Sequence, residues 1–362
     1  MNRYEERIAG LRGLFEGAGI DGLYITKPSN VAYFTGTKGD DCSLWITGGD
    51  AYIITDFRYR EMAQGLSWLS LVETRQGCSV TDFLRSVPEK RIGIERNSLK
   101  LNDYLIFTDR LSCKDIVITG EEMEFNGLVE TLRIVKDDYE IEQTRLAEQI
   151  GCDAFNYILG CVKPGMTENQ VARQLEYYML THGAEDLSFS TICLTGPNCS
   201  KPHGVPGSAV IEEGQFILMD YGCKVNGYCS DMTRTICVGK PTQRMKDCYS
   251  AVLEAQMTAC DGIKAGIIGR DGHNIAVNVL EKYGLAKYFG HGLGHGTGLD
   301  IHENPRLALG YKDPIPAGSI CSIEPGIYLS GELGIRIEDL AIITSDGIIN
   351  LALGASKDLI TI

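Results

Sequence analysis

The sequence predicts an α/β domain followed by an α+β domain built from two similar halves. Three observations predict this: short apolar runs alternating with helical patterns in the first third, a polar break near residue 125, and an internal repeat in the remainder. The chain of 362 residues, 44% hydrophobic and 23% charged, is long enough for two domains of about 100–200 residues each. We place them at residues 1–125 and 126–362.

In the first domain, Gly22–Thr26, Ser43–Thr47 and Ala51–Thr55 read as strands bounded by Gly, Pro and Asp. An amphipathic helix precedes them and another lies near Tyr59–Leu66. The stretch Gly120–Gly127 is polar and turn-rich. From Asp137 a long helix begins, with Asp137-x-x-Glu140 as a candidate capping box and Ile141, Ala147, Ile150, Ala154, Ile158 and Cys161 at helical spacing.

The second domain repeats itself after about a hundred residues. Val162-Lys-Pro-Gly165 returns as Ile263-Lys-Ala-Gly266, each followed by a predicted helix. His203-Gly-Val-Pro206 returns as His302-Glu-Asn-Pro305, and Ile211–Gly222 returns as Ile315–Gly326, which places Asp220 on Glu324. Each of these acids ends an apolar run, and a returning strand carries a second acid, Asp231 or Glu338. One such pair could be chance among glycine-rich turns; three in the same order predict a pseudo-twofold unit, with the hairpins in one central sheet and helices covering it.

A carboxylate at the end of Phe216-Ile-Leu-Met219 carries a large desolvation cost unless a cation accompanies it. Four such acids meeting at a pseudo-axis repel one another unless positive charge sits among them. Two divalent ions supply it, and the imidazoles of Gly290–Glu303 complete the donor set. Oxygen ligands with a neutral imidazole suit Mn²⁺, Co²⁺ or Zn²⁺ better than Mg²⁺ or Ca²⁺. His291, His295 and His302 lie in this glycine-rich segment and His203 in the repeat, whereas His182 and His273 fall on predicted helices and read as ordinary structural residues. The glycines lack dinucleotide-loop spacing, no Walker sequence occurs, and no G-x-S-x-G elbow marks a serine nucleophile. The residues alone therefore indicate a dinuclear metallohydrolase and leave open whether amide, ester or phosphate bonds are cut.

Charge and composition narrow the partners. The net charge of −14, without a basic block, argues against nucleic acid and anionic membranes. A charged N-terminus and the lack of a long apolar run predict a soluble, cytoplasmic protein. Thirteen cysteines without a C-x-x-C pair read as reduced, mostly buried thiols.

Leu218–Gly222, Ser230–Arg234, His291–His295, Leu299–His302, Ser322–Gly326 and Arg336–Asp339 together closely resemble the pita-bread metallopeptidase family of methionine aminopeptidase, aminopeptidase P, prolidase and creatinase. Pro28–Gly36 and Thr55–Tyr59 resemble the creatinase-like N-terminal domain of its proline-specific branch. The resemblance implies Asp220, Asp231, His295, Glu324 and Glu338 as ligands of two metal ions, with Mn²⁺ expected and Co²⁺ or Zn²⁺ as alternatives. It implies that a metal-bridging hydroxide attacks the bond before proline while Glu324 shuttles the proton. His291 and His302 would stabilise the oxyanion and orient the substrate, His203 would line the proline side, and Arg336 would hold ligand carboxylates. Because Arg336 and Glu338 are two apart, we expect both on one strand face. The expected substrates are peptides with proline second, and the expected assembly is a homodimer. We expect an Xaa-Pro aminopeptidase, with the Xaa-Pro dipeptidase (prolidase) as alternative and an inactive peptide-binding module as a remote one. No residue for recognising a product-side carboxylate is assigned from the sequence.

Overall fold

The computed structural model describes residues 2–38, 40–120 and 127–362 and divides into two units, Met1–Arg133 and Ile134–Ile362. The expected boundary at residue 125 lies outside the described residues, as does most of the polar stretch on which it rests.

The first unit is built on a mixed six-stranded sheet of β1 (Gly22–Ile25), β2 (Ser43–Thr47), β3 (Ala51–Thr55), β4 (Ser70–Glu73), β5 (Arg91–Glu95) and β6 (Asp115–Thr119), in the order β4-β3-β2-β1-β5-β6. The three strands expected from sequence are β1 to β3 and pair antiparallel. The outer strands pair parallel, and helices Arg60–Gln64, Val80–Ser86 and Leu101–Arg110 lie in the connections that this requires. Of the expected helix at Tyr59–Leu66, Arg60–Gln64 is α-helical, preceded by a 3₁₀ turn that Asp56 caps through Arg58 N. Trp45 is fully buried among Tyr24, Ile54, Ile92, Ile94 and Phe107.

The second unit opens with helix Asp138–Leu159, whose Asp137–Glu140 capping box forms as expected. Helix Glu168–Thr181 follows, then β7 (Asp186–Leu187), β8 (Ile192–Thr195), β9 (Phe216–Tyr221), the β10 (Cys223–Val225) and β11 (Tyr228–Cys229) hairpin, and β12 (Met232–Cys237). The second half repeats the plan. Helices Gln243–Gly262 and Gly269–Lys282 lead to β13 (Gly294–Gly296), β14 (Glu303–Leu307) and β15 (Ile320–Ile323); a hairpin of β16 (Gly326–Leu329) and β17 (Leu333–Arg336) follows, then β18 (Asp339–Ile343) and β19 (Ile348–Asn350).

All six residues of β9 are buried because the strand packs on both faces. Ile217, Met219 and Tyr221 join the core under Ala147, Phe155 and Ile158 of the first long helix. Phe216 and Leu218 join the other core, under Val252, Ala255 and Ala259 of helix Gln243–Gly262. Period-two alternation puts Asp220 on the Phe216–Leu218 side, towards the second half.

The expected hairpins form, β9 with β12 and β15 with β18, but in two sheets rather than one, β12-β9-β8 and β14-β13-β15-β18-β19; the β10–β11 and β16–β17 turns between them belong to smaller sheets. Side chains occupy the seam where ladder bonds would otherwise run. Thr235 Oγ1 accepts from Arg336 N and donates to Arg336 O, and Arg234 donates to the carbonyl of Glu338. Main-chain bonds that cross include Glu338 N to Thr233 O at 3.1 Å and Cys229 N to Gly298 O at 2.8 Å. All thirteen cysteines are free thiols and only Cys113 is exposed. Among the described residues no helix is long and apolar enough to cross a membrane.

Candidate metal centre

The seam between the two halves gathers the repeated acids. Asp220 lies one residue from the end of β9, Asp231 precedes β12, Glu324 follows β15 and Glu338 precedes β18. All four line one pocket of about 580 Å³ together with His203, His291, His295, His302 and Arg336. Every site residue expected from sequence thus borders a single cavity. One ligand atom from each of Asp231, His295 and Glu338 lies within 4.8 Å of the other two. His295 Nε2 stands 3.5 Å from Asp231 Oδ2 and 3.4 Å from Glu324 Oε1.

Local bonds aim each donor. His295 Nδ1 faces Gly296 O at 3.1 Å, which assigns the proton to Nδ1 and turns Nε2 towards the acids. Burial, reinforced by His302, lowers the His295 pKa to about 3, so the ring is neutral. Ser322 Oγ accepts from His295 N and donates to Glu324 Oε1, both at 3.1 Å. Thr233, opposite Asp220 in the β9–β12 ladder, donates to Glu338 Oε2 at 2.6 Å. Asp231 N donates to Glu148 Oε2 at 3.2 Å.

Burial first, then the neighbouring carboxylates, push Asp231 and Glu338 well above the usual carboxylate range. Burial raises Glu324 to about 7 against the pull of Arg336. Asp220 Oδ1 is buried without a hydrogen-bond partner among the described residues. Buried acids that raise one another's pKa values, with an orphaned oxygen and an imidazole nitrogen facing them, fit divalent metal ions.

Arg336 differs in one respect from expectation. Its guanidinium bonds Asp220 Oδ2, Thr233 Oγ1 at 3.0 Å and Tyr328 Oη at 2.7 Å, and Glu338 is bonded by Thr233 instead. The chain leaves β17 at Arg336, so strand alternation does not extend to Glu338. His291 is held by Gly292 O at Nδ1 and by Tyr328 Oη at Nε2, with burial lowering its pKa to about 4. His302 packs edge-on to His295, ring centroids 4.4 Å apart. His182 stacks on Tyr178 at the surface, and His273 accepts from Leu293 N; neither lines the pocket.

Sequence reasoning did not single out Thr233, Tyr328, Arg306 or Glu148. Thr233, Tyr328 and Arg306 lie within five residues of positions it did select, which was the available signal. Glu148 sits fully buried in a helix read for its capping box and apolar spacing, and burial raises it to about 8.

A pocket of acids and imidazoles between two repeated halves is the arrangement of a metal-dependent hydrolase. The chain belongs to metallopeptidase family M24, whose model matches residues 142–345, and residues 7–135 match the Creatinase/Prolidase N-terminal domain. The repeated halves are the pita-bread fold. The Xaa-Pro dipeptidase of Pyrococcus furiosus is 34% identical over 345 residues, covering 95% of this chain and 96% of that protein. Among solved structures, the Xaa-Pro dipeptidase from Bacillus anthracis is 36% identical with a TM-score of 0.94, covering 99% of this chain and 100% of the other. The X-Pro aminopeptidase from Thermotoga maritima is 31% identical with a TM-score of 0.87, covering 95% and 98%.

Proposed function

We propose that the chain is an Xaa-Pro dipeptidase using two divalent ions, Mn²⁺ before Co²⁺ or Zn²⁺, held by Asp220, Asp231, His295, Glu324 and Glu338. The observation that carries the metal reading is the buried acid cluster facing His295 Nε2. When bound, the ions supply the charge that keeps the acids ionised together and the Lewis acidity that activates water and polarises a carbonyl. Glu324, bonded by Ser322 Oγ and 3.4 Å from His295 Nε2, accepts a proton and passes it to the leaving proline nitrogen. His302 faces the developing oxyanion. His291, engaged at both nitrogens, holds Tyr328 in place and through it Arg336. His203, exposed on the Lys201–Pro206 loop, borders the proline side.

The relatives named Xaa-Pro dipeptidase support the dipeptidase over the aminopeptidase expected from sequence. The pocket agrees. A dipeptide brings a free carboxylate close to four acids and needs a cation; Arg306 lies on the pocket wall, opposite His295 in the β13–β14 ladder. From its place on the pocket wall beside His295 we assign the proline carboxylate to Arg306. The aminopeptidase remains the second reading, supported by the Thermotoga structure. Free thiols support a cytoplasmic setting, and the homodimer carried over from the family resemblance is checked by sedimentation. The deciding experiment compares hydrolysis of an Xaa-Pro dipeptide and an Xaa-Pro-Yaa-Zaa tetrapeptide by Mn²⁺-loaded protein. Preference for the dipeptide supports the proposal, and faster cleavage of the tetrapeptide overturns it for the aminopeptidase.

A further inference from the structure

The loop between β8 and β9 enters the pocket with Pro202, His203, Gly204, Val205 and Pro206. Its tip is exposed, Val205 to 85%, and Gly204 N to Lys201 O is the main-chain bond that shapes it. At its root sits Glu168, 1% exposed, in the first turn of helix Glu168–Thr181. No cation pairs with this carboxylate among the described residues; it is satisfied instead by donors from both ends of the loop. Oε1 accepts from Thr195 N at 2.8 Å and Asn198 Nδ2 at 3.0 Å, where the loop begins. Oε2 accepts from Gly207 N at 2.9 Å, where it ends. The same helical turn donates Glu168 N to Ala209 O and Asn169 N to Gly207 O, each at 3.1 Å, which uses amides that a helix start leaves unpaired.

We propose that Glu168 is a positioning residue, a clasp that closes the root of the His203 loop and so sets the wall against which the proline side of the substrate binds. A buried carboxylate without a counter-charge is costly, and here its donors are the two ends of one pocket-lining segment. It touches none of the five residues proposed to hold metal, so its effect is on substrate affinity. This role rests on the peptidase reading for its substrate, while the clasp itself does not.

The test uses full-length Mn²⁺-loaded protein and the variants Glu168→Ala, Glu168→Gln and Asn198→Ala. For Glu168→Ala we expect faster amide exchange confined to residues 195–207, KM for an Xaa-Pro dipeptide raised about tenfold, and kcat and Mn²⁺ affinity within about twofold. Glu168→Gln keeps an acceptor for the loop entry but turns an NH₂ towards Gly207 N, so its KM falls between wild type and alanine. Asn198→Ala, which removes one strut and leaves the buried carboxylate in place, raises exchange at the loop entry even if Glu168→Ala does not fold. Unchanged exchange in these variants, or kcat and Mn²⁺ affinity falling together with KM unchanged, overturns the clasp. If wild-type protein cleaves no Xaa-Pro substrate, the peptidase reading fails, and localised exchange still decides the clasp.

Discussion

Replacing Thr233 with valine tests how the seam holds the acids. The hydroxyl is fully buried, donates to Glu338 Oε2 at 2.6 Å and accepts from Arg336 Nε at 3.0 Å. Valine keeps the shape and removes both bonds, leaving a carboxylate oxygen and a guanidinium N–H without that partner. The bond to the Arg336 guanidinium contributes about 1.5–3 kcal/mol and that to Glu338, whose pKa is raised, about 0.5–1.5 kcal/mol; Arg336 retains Asp220 and Tyr328, so we expect a net loss of about 2–4 kcal/mol. For a domain of this size that lowers Tm by roughly 5–15 °C. Thermal melts of metal-free protein measure it. Thr233→Ser keeps the hydroxyl and should lose less than about 1.5 kcal/mol, the scale of one buried methyl. A Thr233→Val melt within about 2 °C of wild type, or serine as damaging as valine, would refute the argument that this hydroxyl joins the two halves.

Asp231→Asn should abolish peptidase activity and weaken Mn²⁺ binding by at least about tenfold, whereas His182→Ala, at a surface stack, should change neither; calorimetry and turnover check both. Arg306→Ala should raise KM for an Xaa-Pro dipeptide about tenfold or more and leave a tetrapeptide nearly unaffected, which steady-state kinetics on both substrates will show. Metal binding should expel protons: Asp231, Glu338 and Glu324 have raised pKa values in the metal-free protein, Glu324 to about 7, so below that pH they hold protons that the metal must displace. Mn²⁺ affinity should therefore fall as pH drops below about 7, and titrations in buffers of different ionisation enthalpy should show net proton release near pH 6.5; no release there would contradict the assignment.

The acids were legible because the repeat marks them twice. Asp220 and Glu324 end equivalent apolar runs, and both runs form strands buried on both faces. The capping box at Asp137 and strands β1 to β3 were equally local signals. What sequence did not reveal depends on contacts between distant residues. That Thr233 bonds Glu338 rather than a cross-strand neighbour follows from the meeting of the halves. Arg336 pairs with Asp220 because the chain turns after β17, which spacing along one strand does not encode. Glu168 looked like any acid opening a helix until the loop returned onto it. Arg306 lay four residues beyond His302, but only the register of β13 and β14 places it opposite His295.

Anomalous scattering from Mn²⁺-soaked crystals tests the central claim directly. The account predicts two Mn²⁺ peaks per chain, roughly 3.5–4 Å apart, among Asp220, Asp231, His295, Glu324 and Glu338. Peaks elsewhere, or none within that cluster at saturating Mn²⁺, would contradict it.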